Sequence, residues 1–224
     1  MSNHQIERYS RQLIVPEFGG IVQERLLAAR LLLIGNLTET LVLAYLVGAG
    51  VGHIDLDADP APETIAGLLT RMRDLNPDST VGIRPRLPPD KALDEFALIL
   101  ALVDDPSTLE RARALFDRRT SFAGNPGVVL ARLDLPGSIA VIPCRPPCPR
   151  CAGGGDLLVP FCNLPAANAG FVASLAALEA IKLLAGVMLP PNPTLIEFRG
   201  YEVTARVIES TLSSNCNCTA PMTD

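Results

Sequence analysis

The residues of this chain best equipped for chemistry are its cysteines. All six, at positions 144, 148, 151, 162, 216 and 218, fall in the second half of the 224 residues. Cys148-Pro149-Arg150-Cys151 lies in a stretch rich in Pro and Gly, and two thiolates so spaced in a tight turn can share one tetrahedral zinc ion. The N-terminus carries Glu7, Arg8 and Arg11 where a secretion signal would be apolar, so the cluster points to metal or thiol chemistry rather than a disulfide framework. Two apolar runs end in acids, one at Asp57 and one at Asp104-Asp105. The two histidines, His4 and His53, suggest no catalytic triad.

The pattern around these residues predicts the elements that must position them. Ile6 to Ala29, broken by Pro16 and Gly19-Gly20, reads as two short helices flanking a turn. Strand, helix and strand follow at 31–34, 40–47 and 54–57, with the Gly48 to Gly52 cluster before the second strand. A helix over 66–75 stops at Asn76-Pro77, and strands are expected at 81–83 and 97–103, the latter apolar throughout like a buried parallel strand. A helix over 106–118 has Ser107 or Asp105 as its cap. Strands at 128–133 and 139–142 flank Pro136-Gly137 and read as an antiparallel pair; a helix over 169–184 and a hairpin of 194–198 with 203–208 complete the chain. Alternating strands and helices followed by strand pairs predict an α/β domain with a mixed sheet.

The length suits a single domain with a large core. A net charge of −5 excludes a broad surface for nucleic acid or anionic membranes. Hydrophobic residues make up 48% and charged ones 19%, an imbalance that needs either a membrane or a partner. The longest apolar stretch, Leu41 to Gly52, falls short of the ~20 residues of a bilayer span, which leaves an oligomer or complex.

Six segments in order then carry a family likeness: Arg8-Tyr9-Ser10-Arg11-Gln12, Leu31-Leu32-Leu33-Ile34-Gly35, Ala49-Gly50-Val51-Gly52, Leu75-Asn76-Pro77, Pro147-Cys148-Pro149-Arg150-Cys151, and Ser174 to Leu184. Together they resemble the ThiF/MoeB/HesA family, the ubiquitin-activating-type adenylyltransferases, over nearly the whole chain. The resemblance implies a Rossmann-like three-layer fold with a mixed, largely parallel sheet, an N-terminal helical arm (1–29), a nucleotide-binding half (30–135) and a part with the cysteine-rich crossover, a helix and C-terminal antiparallel strands (136–224). It also implies a dimer, ATP-dependent adenylation of the C-terminal glycine of a ubiquitin-like or sulfur-carrier protein, and a structural zinc.

Against that pattern the nucleotide loop is depleted. Where the family carries G-x-G-G-x-G, this chain has Gly35-Asn36-Leu37-Thr38-Glu39-Thr40, with Asn36 and Glu39 spaced as a capping box that lets the helix cap itself. The family's S-N-L-x-R-Q segment is missing, no lysine precedes residue 90, and the Arg expected five residues after Asp104 is Leu109. Gly35, Asp57 for the ribose, Asp104 for metal and phosphate, and Arg8 remain as nucleotide-site residues, so ATP with magnesium is a doubtful cofactor.

Arg11 occupies the position from which an arginine reaches the partner's ATP, and its forked guanidinium suits phosphate. Cys148, Cys151, Cys216 and Cys218 are the expected zinc ligands, with Cys144 an alternative because Cys216-Asn217-Cys218 is one residue short. Cys162 stands near the family's thioester or persulfide cysteine, but nothing adjacent lowers its pKa; a buried or loop cysteine is the alternative. The pattern predicts a cytoplasmic protein that is a non-catalytic or weakly catalytic dimer partner in carrier activation. A competent adenylyltransferase with a rearranged loop and a zinc-stapled interaction scaffold are the alternatives. The helix Phe171 to Leu184 and the N-terminal arm are its expected dimer surfaces.

Overall fold

A computed structural model describes residues 1–35, 40–57, 62–84, 95–103, 105–117, 127–132, 137–142, 166–199 and 202–208. The cysteines at 144, 148, 151, 162, 216 and 218, together with Asp104 and the Asn36–Glu39 capping box, lie outside the described residues.

Among the described residues, eight strands form one sheet in the order β3-β2-β1-β4-β5-β6-β7-β8. They are β1 (Arg30–Ile34), β2 (His53–Asp57), β3 (Thr80–Ile83), β4 (Leu98–Val103), β5 (Gly127–Arg132), β6 (Gly137–Ile142), β7 (Thr194–Arg199) and β8 (Glu202–Val207). β1 to β5 pair in parallel, while β5-β6, β6-β7 and β7-β8 are antiparallel, as the strand pairs of the second half predict.

Helices cover both faces because each parallel crossover must bury an apolar strand on its two sides. α4 (Thr40–Ala49), α5 (Pro62–Leu75) and α7 (Ala166–Ala185) share one core with Leu31, Leu33, Ile54, Leu56 and Leu100. On the other face, α6 (Pro106–Asp117) packs Leu109 and Ala112 against Leu32, Ile34, Ile99 and Ala101. Every residue of β4 is buried, which accounts for its uninterrupted apolar run. α6 is capped by Asp105, not Ser107: its Oδ1 accepts from the Ser107 and Thr108 backbone N–H groups at 2.6 and 3.0 Å.

The arm holds three helices rather than two: α1 (Asn3–Arg8), α2 (Ser10–Leu13) and α3 (Gly19–Ala28). The extra break falls at Tyr9, whose ring is buried. A side chain anchored that firmly dictates where the helix stops, an effect of tertiary packing that periodicity does not register.

α7 carries exposed Phe171 and Leu178, and the arm exposes Ile6, Ile14, Val15 and Ile21. Among the described residues, no helix is long and apolar enough to cross a membrane.

Candidate nucleotide crevice

In this order successive strands are added outward in one direction from β1 to β3 and in the other from β4 onward, and in open α/β sheets ligands bind outside the carboxyl ends at such a switch point. Two of the expected site residues meet there. Gly35 follows Ile34, and Ile34 stands in register with Asp57 at the end of β2. β4 runs two residues beyond Ala101, the partner of Ile34, so its end rises above that of β1 and carries Asp105 at the mouth of α6.

The Asp57 side chain is only 4% exposed and faces Arg111 of α6, with Nη1 3.9 Å from Oδ1. Arg111 Nη2 donates to Thr108 Oγ1 at 3.4 Å, and Thr108 Oγ1 donates to Asp105 Oδ2 at 2.7 Å. A polar string therefore joins the end of β2 to the cap of α6. Arg111 Nε is buried and has no hydrogen-bond partner. Sequence reasoning sought this cation at Leu109, but Leu109 faces the core. The available signal was helical spacing, because Arg111 lies three residues after buried Thr108 and hence over the same face.

The arginines of the arm lie elsewhere. Tyr9, which separates them, packs at the amino edge of the sheet, the edge opposite Gly35 and Asp57. Its ring lies against Gly50, so close that a Cβ there would meet ring carbons at 2.8 Å. Gly50 has φ +88° and ends α4, with Gly50 N donating to Val47 O and Val51 N to Leu46 O. Gly52 is equally constrained, since its Cβ would fall on the Leu27 carbonyl oxygen. Asn76, 1% exposed, donates to Tyr9 Oη at 2.9 Å and to Val47 O at 2.7 Å, while its Oδ1 accepts from Asp78 N at 3.1 Å.

Tyr9 Oη donates to Asp78 Oδ2 at 3.2 Å, and Arg8 Nε reaches the same oxygen at 3.1 Å. Burial, with Asp78 nearby, pushes the Tyr9 hydroxyl above its ordinary pKa, although the bond from Asn76 opposes this. Gln12 and Gln23 both donate to Ala49 O. Three of the six segments, around Tyr9, Gly50 and Asn76, are thus one docking cluster. Arg8 is tied into it, whereas the exposed Arg11 side chain makes no hydrogen bond or ion pair among the described residues.

Zinc ligation and Cys162 chemistry fall outside the described residues, and among the described residues no three His, Cys, Asp or Glu side chains gather to hold a metal.

Comparison with known proteins places this arrangement. No protein-family profile matches the chain. It is 29% identical over 249 aligned positions to the adenylyltransferase and sulfurtransferase uba4 of Aspergillus fumigatus, an alignment covering 89% of this chain and 48% of that one. It is 30% identical over 248 positions to the probable adenylyltransferase/sulfurtransferase MoeZ of Mycobacterium tuberculosis, covering 93% of this chain and 61% of MoeZ. The chain thus spans about half the length of the curated relatives it matches. Among solved structures, the Microcin C7 biosynthetic enzyme MccB in complex with N-formylated MccA superposes with a TM-score of 0.69 at 16% identity, covering 97% of this chain and 76% of MccB. PaaA superposes at 0.65 and 13% identity, covering 93% of this chain and 84% of PaaA. The sequence kinship to uba4 and MoeZ and the fold shared with MccB agree with the six ordered segments and bear out the chain's resemblance to the ThiF/MoeB family.

Proposed function

We propose that this chain takes part in activating a ubiquitin-like or sulfur-carrier protein as the non-catalytic or weakly catalytic member of a dimer. Arg11 is the observation that carries the reading. Its neighbours Arg8, Tyr9 and Gln12 are each bonded to this chain at the amino edge of the sheet, while Arg11 is exposed and uncommitted. An arginine so held is remote from its own crevice and is presented to another subunit, where its fork suits a phosphate.

The depleted loop after Gly35 and the lack of any lysine before Lys91 agree with a site that leaves adenylation to its partner. The exposed apolar side chains of α7 and the arm supply the surface for a homodimer or a heterodimer with an intact relative. A structural zinc on Cys148, Cys151, Cys216 and Cys218, or with Cys144 in one place, belongs to the same reading, as does a cytoplasmic location.

ATP–pyrophosphate exchange in the presence of a carrier ending in Gly-Gly tests this reading. The isolated chain should support none, and adding it to an intact relative should raise exchange, with Arg11→Ala removing that gain. Robust exchange by the isolated chain would instead establish a competent adenylyltransferase with a rearranged loop, a reading that buried Asp57 beside Gly35 favours.

A further inference from the structure

We infer that β8 pairs edge to edge with β8 of a second copy of this chain, antiparallel and centred on Thr204, joining the two sheets into one. The inference goes beyond the proposed function, whose dimer surfaces are α7 and the arm.

Among the described residues β8 ends the sheet, pairing with β7 on one side in an unbroken register from Thr194↔Val207 to Arg199↔Glu202. All six of its residues are exposed, Val203 and Val207 by 57% and 54%. A free edge offers a row of N–H and C=O groups to an extended chain, and proteins commonly blunt it with a bulge, Pro, Lys or a very short strand. β8 has none of these, whereas the opposite edge, β3, is four residues long and carries Gly82. The two charges of β8, Glu202 and Arg206, are of opposite sign. They guard the edge against a strand of uniform charge, but not against β8 itself.

The strand's own sequence selects its occupant. In a symmetric antiparallel pair the two-fold axis stands perpendicular to the sheet and passes between a residue and its own copy. With Thr204 at that centre, Glu202 of each copy lies opposite Arg206 of the other, and Val203 lies opposite Ala205. Moving the centre to Val203 or Ala205 separates the charges, since Glu202 or Arg206 then faces Thr204. Residues two apart share a face, so the charges line one side of the joint. Val203 and Ala205 line the other, the side on which Phe198, the partner of Val203, enters the α7 core. Both charges are available. Glu202 makes no ion pair among the described residues, and Arg206, its side chain 60% exposed, engages Glu197 through Nε alone at 3.3 Å. The terminal nitrogens of Arg206 are left for a second carboxylate.

Sedimentation velocity of the full chain over a concentration series tests the pairing. Glu202→Arg sets Arg against Arg across the joint and Arg206→Glu sets Glu against Glu, so each should weaken association through this edge about tenfold or more. The double variant restores both opposite-charge pairs and should recover most of that loss. Thermal melts establish that each variant is folded, and Glu202→Arg removes no ion pair among the described residues. Under mild oxidation Thr204→Cys should link to its own copy, because directly opposite residues stand within disulfide reach, and tryptic mapping should recover peptide 200–206 joined to itself. Val203→Cys and Ala205→Cys should self-link at least about tenfold more slowly. A double variant no better than the single ones, equal self-linking at 203 or 205, or no link at 204 would each overturn the inference. So would Glu202→Arg losing capture of a Gly-Gly-ending carrier while self-association stays unchanged. Failure of the 204 link leaves the proposed function standing, and pyrophosphate exchange by the isolated chain defeats that function without touching this edge.

Discussion

Replacing Asn76 by Ala should loosen the arm from the body of the protein. The side chain is 1% exposed and makes three hydrogen bonds: to Tyr9 Oη, to Val47 O and from Asp78 N. At about 1 kcal/mol net for each bond, the loss is roughly 3 kcal/mol. Partial rescue lowers this figure, because Ser79 Oγ also donates to Val47 O at 3.3 Å and Tyr9 still reaches Asp78. The orphaned Asp78 N–H raises it again, which leaves an expected range of about 2–4 kcal/mol. Urea denaturation followed by circular dichroism reads this directly, and for a chain of this size it corresponds to a melting point lowered by roughly 4–16 °C.

The location of the effect is as diagnostic as its size. Hydrogen exchange should rise across residues 3–13 before it rises in β1 or β4, since α1 and α2 bury no residue of their own and are tied down through Tyr9, whereas Leu26 seats α3 in the core. Tyr9→Phe should cost about 1–2 kcal/mol alone, and the double variant should show a coupling of about 1 kcal/mol with Asn76→Ala. A loss below about 1 kcal/mol, additivity of the two variants, or unchanged protection of the arm would refute the claim that this cluster docks it.

Three further outcomes follow from the geometry. Gly50→Ala should destabilise by at least the ~1–2 kcal/mol of a left-handed non-glycine residue, and by more because its Cβ overlaps the Tyr9 ring; melting temperature and arm protection report both parts. The Tyr9 hydroxyl has its pKa raised in the fold, so the folded chain keeps a proton that the unfolded chain loses; stability should be full below the ordinary value of 10.0 and fall as pH rises above it, a slope that Tyr9→Phe should reduce in denaturation series. Native mass spectrometry should find about one zinc per chain, and stripping it with a chelator should lower the melting temperature; no bound ion would remove the zinc proposal.

The sequence exposed the fold more fully than the site, for physical reasons visible in particular residues. β4 is apolar because both its faces are covered, and the Pro136-Gly137 turn signal in the sequence falls between strands that do pair antiparallel, β5 and β6, so strand type and direction could be read locally. The break at Tyr9 could not, because it comes from a ring packed on Gly50 and bonded to Asn76, 67 residues away. In the crevice, Gly35 and Asp57 were legible since they close predicted strands. Arg111 was not, because a search by fixed offset from Asp104 lands on a core leucine, whereas the rotation of α6 brings the guanidinium to Asp57.

The two edges of the sheet therefore differ in what explains their residues. At the amino edge, Tyr9, Asn76, Gly50 and Gly52 are each accounted for by folding: a buried ring, a fully used amide, a left-handed helix end and a backbone approach that no side chain permits. Arg8 and Gln12 are accounted for in the same way through Asp78 and Ala49. Within Arg8-Tyr9-Ser10-Arg11-Gln12, Arg11 stands apart, since its charged side chain is exposed and has no partner among the described residues. An exposed, unpaired arginine contributes little to stability. Arg11→Ala should accordingly leave the urea midpoint within about 0.5 kcal/mol of wild type while abolishing any stimulation of an intact relative. If instead the variant unfolds as readily as Asn76→Ala, Arg11 is part of the docking cluster and the case for a residue offered to a second subunit fails.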